Sequence, residues 1–216
     1  IKNYNIISLK ELINNLKNKK IKKKTIVITF DDNYKDNYIN AYPILKKYNV
    51  PATIFLAAGY VNTNKIYDFD KEIKNSKGCM LDWKEIKEMN KNKIDFGAHT
   101  VNHIILSKVS LDKAKEEIIN SKKIIEKNLN QKIRLFAYPH GRAKDFNQDI
   151  IKILKENDLD CSLSTVYGKI SLKDNLYSLK RIGMSHENNF VSFKVGLTGI
   201  LSFIVRIFDR FFGDDI

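Results

Sequence analysis

A chain of 216 residues, 43% apolar and 29% charged, is long enough for one sizeable core and too apolar for a disordered segment. Its formal net charge of +13 comes with no zinc-finger, basic-zipper or RNA-binding signature, so no nucleic-acid partner is expected. The two distant cysteines, Cys79 and Cys161, form neither a disulfide framework nor a zinc spacing and read as free thiols.

Helix and strand signals alternate along the chain. Ser8 and Glu11 make a capping box for a helix to about Asn18, with Leu9, Leu12, Ile13 and Leu16 on one face. The lysine run Lys19, Lys20, Lys22, Lys23 and Lys24 reads as a solvated connector rather than a phosphate or anionic-polymer patch. Residues 25–30 are β-branched and apolar throughout, the pattern of a buried strand. A helix through Tyr38, Ala41, Ile44, Leu45 and Tyr48 tolerates Pro43 only near its start or at a kink, and a strand over residues 53–57 follows.

Residues 59–78 are polar and aperiodic and read as a long surface excursion. Asp82 with Glu85 caps the next helix, and residues 94–98 form a strand. Ser110 caps a longer helix striped by Leu111, Ala114, Ile118, Ile125 and Leu129. A strand over 134–138 precedes a helix that Asp145 and Gln148 start, and extended runs at 161–165 and 177–182 close the series. This order predicts an α/β domain with a mainly parallel sheet, open or closed into a barrel.

From Phe190 to Phe212 the composition turns apolar, and Phe193, Leu197, Ile200, Leu201, Ile204, Ile207, Phe208 and Phe211 recur at helical intervals. Lys194, Arg206, Asp209 and Arg210 break the run, so a helical tail packed on the domain or lying on a membrane surface is expected, not a span. The predicted organisation is a domain over residues 1–189 and a tail over 190–216. The chain opens at Ile1 with no signal-peptide pattern, which raises the expectation of a missing upstream segment and leaves localisation between cell envelope and cytoplasm.

In parallel α/β folds the ligand site lies beyond the carboxyl ends of the strands. Asp31 and Asp32, His99 and His103, His140, and His186 all follow predicted strands. On a helical turn His99 and His103 would face the same way and could grip one ion, with a carboxylate as third ligand and water as fourth. Thr100 stands where zinc proteases carry their glutamate, so the base must come from elsewhere. Of Asp31 and Asp32, one could bind metal and the other take a proton from water. For His140 and His186 a plain loop histidine is the default.

Three segments then resemble the polysaccharide deacetylases of the NodB-homology, or carbohydrate esterase 4, type. Thr29-Phe30-Asp31-Asp32 is similar to the first motif of that family, His99-Thr100-Val101-Asn102-His103 to the second, and Phe136-Ala137-Tyr138-Pro139-His140-Gly141 to the third. The resemblance implies a distorted β/α barrel and the removal of N-acetyl groups from hexosamine units of a cell-surface polysaccharide or its precursor. It implies Asp31 as general base, and Asp32, His99 and His103 as ligands of one divalent ion, zinc by preference. It further implies the His140 backbone amide as oxyanion donor, Tyr138 and Pro139 as a groove wall, and His186 as candidate acid. Asn33 replaces a usual glycine, Ala137 replaces an arginine that orients the base, for which Arg134 is a doubtful substitute, and Met184-Ser185-His186 is not the Leu-x-His of the family's fifth motif. Those departures keep open a catalytically weak glycan-binding member, and an Asp and His cluster alone also suits a metallophosphoesterase.

Overall fold

Six parallel strands follow one another across a single sheet in the order in which the chain makes them: Thr29–Phe30 (β3), Ala52–Leu56 (β4), Ile94–Ala98 (β5), Leu135–Ala137 (β6), Cys161–Tyr167 (β7) and Leu179–Arg181 (β8). A separate parallel pair, Asn5–Ile6 (β1) and Thr25–Ile26 (β2), lies at the start. The computed structural model describes residues 4–70, 79–184 and 189–198. Helices Leu9–Lys17 (α1), Tyr42–Lys47 (α2), Trp83–Asn90 (α3), Leu111–Leu129 (α4) and Gln148–Glu156 (α5) alternate with the strands, as the α/β reading predicts.

The sheet buries both faces. Leu135 and Ala137 of β6 point into one apolar cluster and Phe136 between them into the other. The larger cluster lies between the sheet and α2 to α5; the smaller joins Leu9, Leu12, Ile13 and Leu16 of α1 to Phe55, Leu135, Cys161, Leu163 and Leu179. Each fully buried Leu, Ile or Phe contributes about 1.5–3 kcal/mol. Gly97 leaves room for Phe55 in the smaller cluster, since a Cβ there would lie 2.5 Å from the Phe55 ring.

Caps set most helix starts. Ser8 Oγ accepts from Glu11 N at 3.1 Å and Ser110 Oγ from Lys113 N at 3.3 Å. Asp82 and Glu85 form both halves of a capping box, at 2.9 and 3.0 Å. Pro43 lies in the first turn of α2, where no amide donor is needed, behind a wide π-helical turn at Asn37–Ala41.

Three expectations change. The strand predicted over 25–30 divides, because β2 pairs with β1 while β3 pairs with β4. The helix start assigned to Asp145 belongs to Asn147, whose Oδ1 accepts from Ile150 N at 3.0 Å; Asp145 binds Arg142 instead. The excursion after β4 is not all surface: Val61 is 5% and Tyr67 1% exposed. Of the predicted tail, Phe190–Thr198 is helical (α6), and Gly196 is buried within reach of Ile182 and Met184. The rest of the stripe, residues 199–212, lies outside the described residues. No described helix is long and apolar enough to cross a membrane.

Candidate active site

The chain leaves β3 through two successive left-handed residues, Asp32 (φ 70°) and Asn33 (φ 45°). Asparagine tolerates that region better than most residues, and here its side chain also does what glycine could not. Asn33 Oδ1 accepts from Ala57 N at 2.9 Å, and the Asn33 carbonyl accepts from Leu81 N at 2.9 Å, which ties the turn to the end of β4 and to the segment before α3. The reversal sends the adjacent carboxylates to different partners.

Asp32 turns towards the two histidines. Its Oδ1 lies 3.3 Å from His99 Nε2 and 3.1 Å from His103 Nε2. His99 Nδ1 is 2.7 Å from the Ala137 carbonyl, which can only accept, so Nδ1 carries a proton, and in its neutral form the ring presents a lone pair at Nε2. Asp32 Oδ1 is buried without a hydrogen-bond partner. The three ligand atoms lie within 4.8 Å of one another. Buried acceptors crowded in this way are costly unless a cation lies among them, and two imidazoles with one carboxylate and an open position are the donor set of a catalytic zinc-type site. Burial opposes ionisation of Asp32, but the close approach and charge of His103 and His99 outweigh it and hold the carboxyl well below its ordinary range. Burial likewise lowers the pKa of His99, and Asp32 and Asp31 more than reverse that.

His99 and His103 do not share a helical turn. They sit on a loop in which Thr100 (φ 62°) and His103 (φ 54°) are left-handed. The loop is shaped from outside by Glu117 of α4, 2% exposed, whose Oε2 accepts from Val101 N and Asn102 N at 2.9 Å each and whose Oε1 accepts from Asn102 Nδ2 at 2.7 Å.

Asp31 turns the other way. Arg181 Nη1 and Nη2 donate to its two carboxylate oxygens at 2.9 and 2.7 Å, while Arg181 Nε donates to the Ser164 carbonyl at 2.8 Å. Asp31 follows β3 and Arg181 ends β8, the two edges of the sheet, so the sheet curls until its edges approach at the carboxyl end. The arginine absent at Ala137 therefore has an equivalent. Arg134 plays no such part: its side chain is 51% exposed and pairs with Asp160 at 4.0 Å, before the opposite end of β6.

The third segment corrects another expectation. Tyr138 is 1% exposed, stacks on Phe146 at 4.1 Å and donates to the Tyr177 carbonyl at 2.9 Å, and Pro139 is buried as well. Both side chains, expected to line a groove, pack into the core in this structure. His140 is exposed, and it and Gly141 turn the backbone through φ 59° and 70°. A Cβ at Gly141 would come within 2.9 Å of Thr165 N, whose amide donates to the Gly141 carbonyl at 2.8 Å. The His140 ring is 5.2 Å from that of His103. Burial first and proximity to His103 second lower its pKa. His186 lies outside the described residues.

Three residues escaped the sequence reading. Arg181 ends a strand on the site's edge, a position that could have flagged it. Glu117 carries no local signal on a helix rich in charge. Tyr67, in the aperiodic stretch, donates its hydroxyl to the Asp32 carbonyl at 3.1 Å and meets the His103 ring edge-on at 4.8 Å.

A family model described as Polysaccharide deacetylase matches residues 18–162. A poly-beta-1,6-N-acetyl-D-glucosamine N-deacetylase of Staphylococcus aureus (strain MRSA252) is 33% identical over 190 residues, covering 84% of this chain and 61% of the relative. The chain spans 54% to 61% of the length of the curated relatives it matches. Among solved structures, the Streptococcus pyogenes deacetylase PplD in complex with acetate is 31% identical, with a TM-score of 0.76 over 91% of this chain and 80% of that one. IcaB from Ammonifex degensii, 20% identical with a TM-score of 0.74 over 90% and 82% of the two chains, shares the fold.

Proposed function

The chain belongs to the polysaccharide deacetylase family, and from that premise we propose that it hydrolyses the N-acetyl groups of hexosamine units in a cell-surface polysaccharide or its precursor. The observation that carries this reading is the convergence of Asp32 Oδ1, His99 Nε2 and His103 Nε2 beside a second carboxylate, Asp31, held by Arg181. The curated relative named for poly-beta-1,6-N-acetyl-D-glucosamine supports the substrate class.

Asp32, His99 and His103 would hold one divalent ion, and the mixed nitrogen and oxygen set favours zinc. Such an ion supplies Lewis acidity and lowers the pKa of water. Asp31 takes the proton from the attacking water, its carboxylate aimed by the Arg181 fork. The His140 amide, on a left-handed turn clamped by Thr165, is assigned to the negative charge that grows on the amide oxygen. Protonation of the departing amine is assigned to His186 on the resemblance alone.

The Arg181 pair answers one ground for a catalytically weak member, the missing arginine; the other, the departure of Met184-Ser185-His186 from the fifth motif, stands. Acetate release from poly-β-1,6-N-acetylglucosamine and from chitooligosaccharides, with and without chelator, tests the proposal. Chelator-sensitive release from either is expected. No release from both, with metal bound, would return the glycan-binding reading.

A further inference from the structure

At this site Tyr138 and Pro139, to which the resemblance assigned a groove wall, are both buried. A different aromatic stands at its mouth. Phe69 lies in the single turn Asp68–Asp70, between β4 and α3, and is 56% exposed. Its ring meets those of His103 and His140 edge-on, at 5.8 and 6.3 Å.

The ring is supported from behind. Phe69 stacks on Tyr67 at 5.2 Å with 5° between planes, and Tyr67 stacks on Tyr60 at 4.3 Å and 15°. Tyr34 tilts against Tyr67 at 5.7 Å, and its hydroxyl donates to Asp70 on the same turn as Phe69. Tyr67 itself is tied to the Asp32 carbonyl. The stack is thus anchored through its buried middle ring to the backbone of a metal-ligand residue and exposed at Phe69.

We propose that Phe69 is an aromatic platform on which the sugar unit next to the reacting one stacks, an inference that rests on the deacetylase reading above. The negative face of a phenyl ring suits the C–H face of a pyranose, and a ring held by its neighbours loses little freedom on contact. Exposure assigns the unit. The His103 side chain is 7% exposed and that of Asp32 21%, so they form the floor under the reacting acetamide. Phe69 belongs to the rim and meets what extends beyond. A lone exposed phenylalanine needs no explanation in general; one stacked outward between a metal ligand and the proposed oxyanion turn is placed for a polymer.

The test compares Phe69→Ala, Phe69→Leu and Phe69→Trp on acetate release from N-acetylglucosamine and from its β-linked hexamer, with metal content measured alongside. For the hexamer, KM is expected to rise about tenfold in the Ala and Leu variants and to stay near wild type in Trp, with kcat and metal content unchanged in all three and little effect on the monomer. An unchanged hexamer KM in Phe69→Ala, or full retention by Phe69→Leu, overturns the platform, the latter because plain apolar packing would then suffice. Loss of metal in all three variants would also overturn it, making the ring a support for His103. If the wild type releases no acetate at all, the deacetylase reading fails separately. Calorimetric titration with the hexamer then decides the platform: weaker binding by Phe69→Ala supports it, and equal or absent binding ends it.

Discussion

Arg181 grips Asp31 through two hydrogen bonds, 2.9 and 2.7 Å long, between residues 150 positions apart in the chain. The fork fixes the direction of the carboxylate as well as its charge. Arg181→Lys keeps the charge and loses the fork, so kcat should fall about tenfold, and about a hundredfold in Arg181→Ala. Metal content should stay at one per chain in both. Elemental analysis beside acetate release checks this, and an Arg181→Ala protein with wild-type kcat would show that Asp31 needs no orientation.

The adjacent carboxylates should separate by their phenotypes. Asp31→Asn is expected to keep the metal and lose turnover, while Asp32→Asn weakens metal binding and His99→Ala or His103→Ala empties the site, because each removes one of three converging ligands. Full metal occupancy in a His99→Ala, His103→Ala double variant would refute the ligand assignment.

Glu117 should matter to the metal without touching it. Glu117→Ala strips the acceptor from two backbone amides and the Asn102 side chain, and frees the loop that carries both histidines. Metal affinity is expected to fall about tenfold to a hundredfold, as for other supports of metal ligands. Calorimetric metal titration reads the effect, and circular dichroism should show α4 intact. Unchanged affinity would mean that the loop holds its shape without Glu117.

Asp145 carries a pH dependence of stability. Its carboxylate, 1% exposed, accepts from Arg142 N at 3.0 Å, Nε at 2.8 Å and Nη2 at 3.2 Å. Burial raises its pKa, but the Arg142 side chain and amide outweigh burial and depress it below the ordinary 3.8. A depressed folded pKa contributes stability above the unfolded value, which is lost as pH falls through the folded one. Arg142 is half exposed and screened, so Asp145→Asn should cost only about 1 kcal/mol at pH 7. In urea denaturation the gap to wild type should close below about pH 4; an equal gap at pH 3 and pH 7 would contradict the charge-based account.

The sequence by itself determined the alternation of helix and strand, the caps at Ser8, Asp82 and Ser110, and the gathering of Asp31, Asp32, His99, His103 and His140 beyond the strand ends. These are legible because apolar periodicity, cap chemistry and strand direction act over a few residues. Only the tertiary structure decided that Arg181 reaches Asp31, that Glu117 clamps the histidine loop, and that Tyr67 is buried while Tyr138 leaves the groove. Such contacts depend on how far the sheet curls and where it brings distant edges together. A charged helix residue or a tyrosine in a polar stretch looks the same in sequence whether it faces water or a buried partner, and the curl of the sheet determines which.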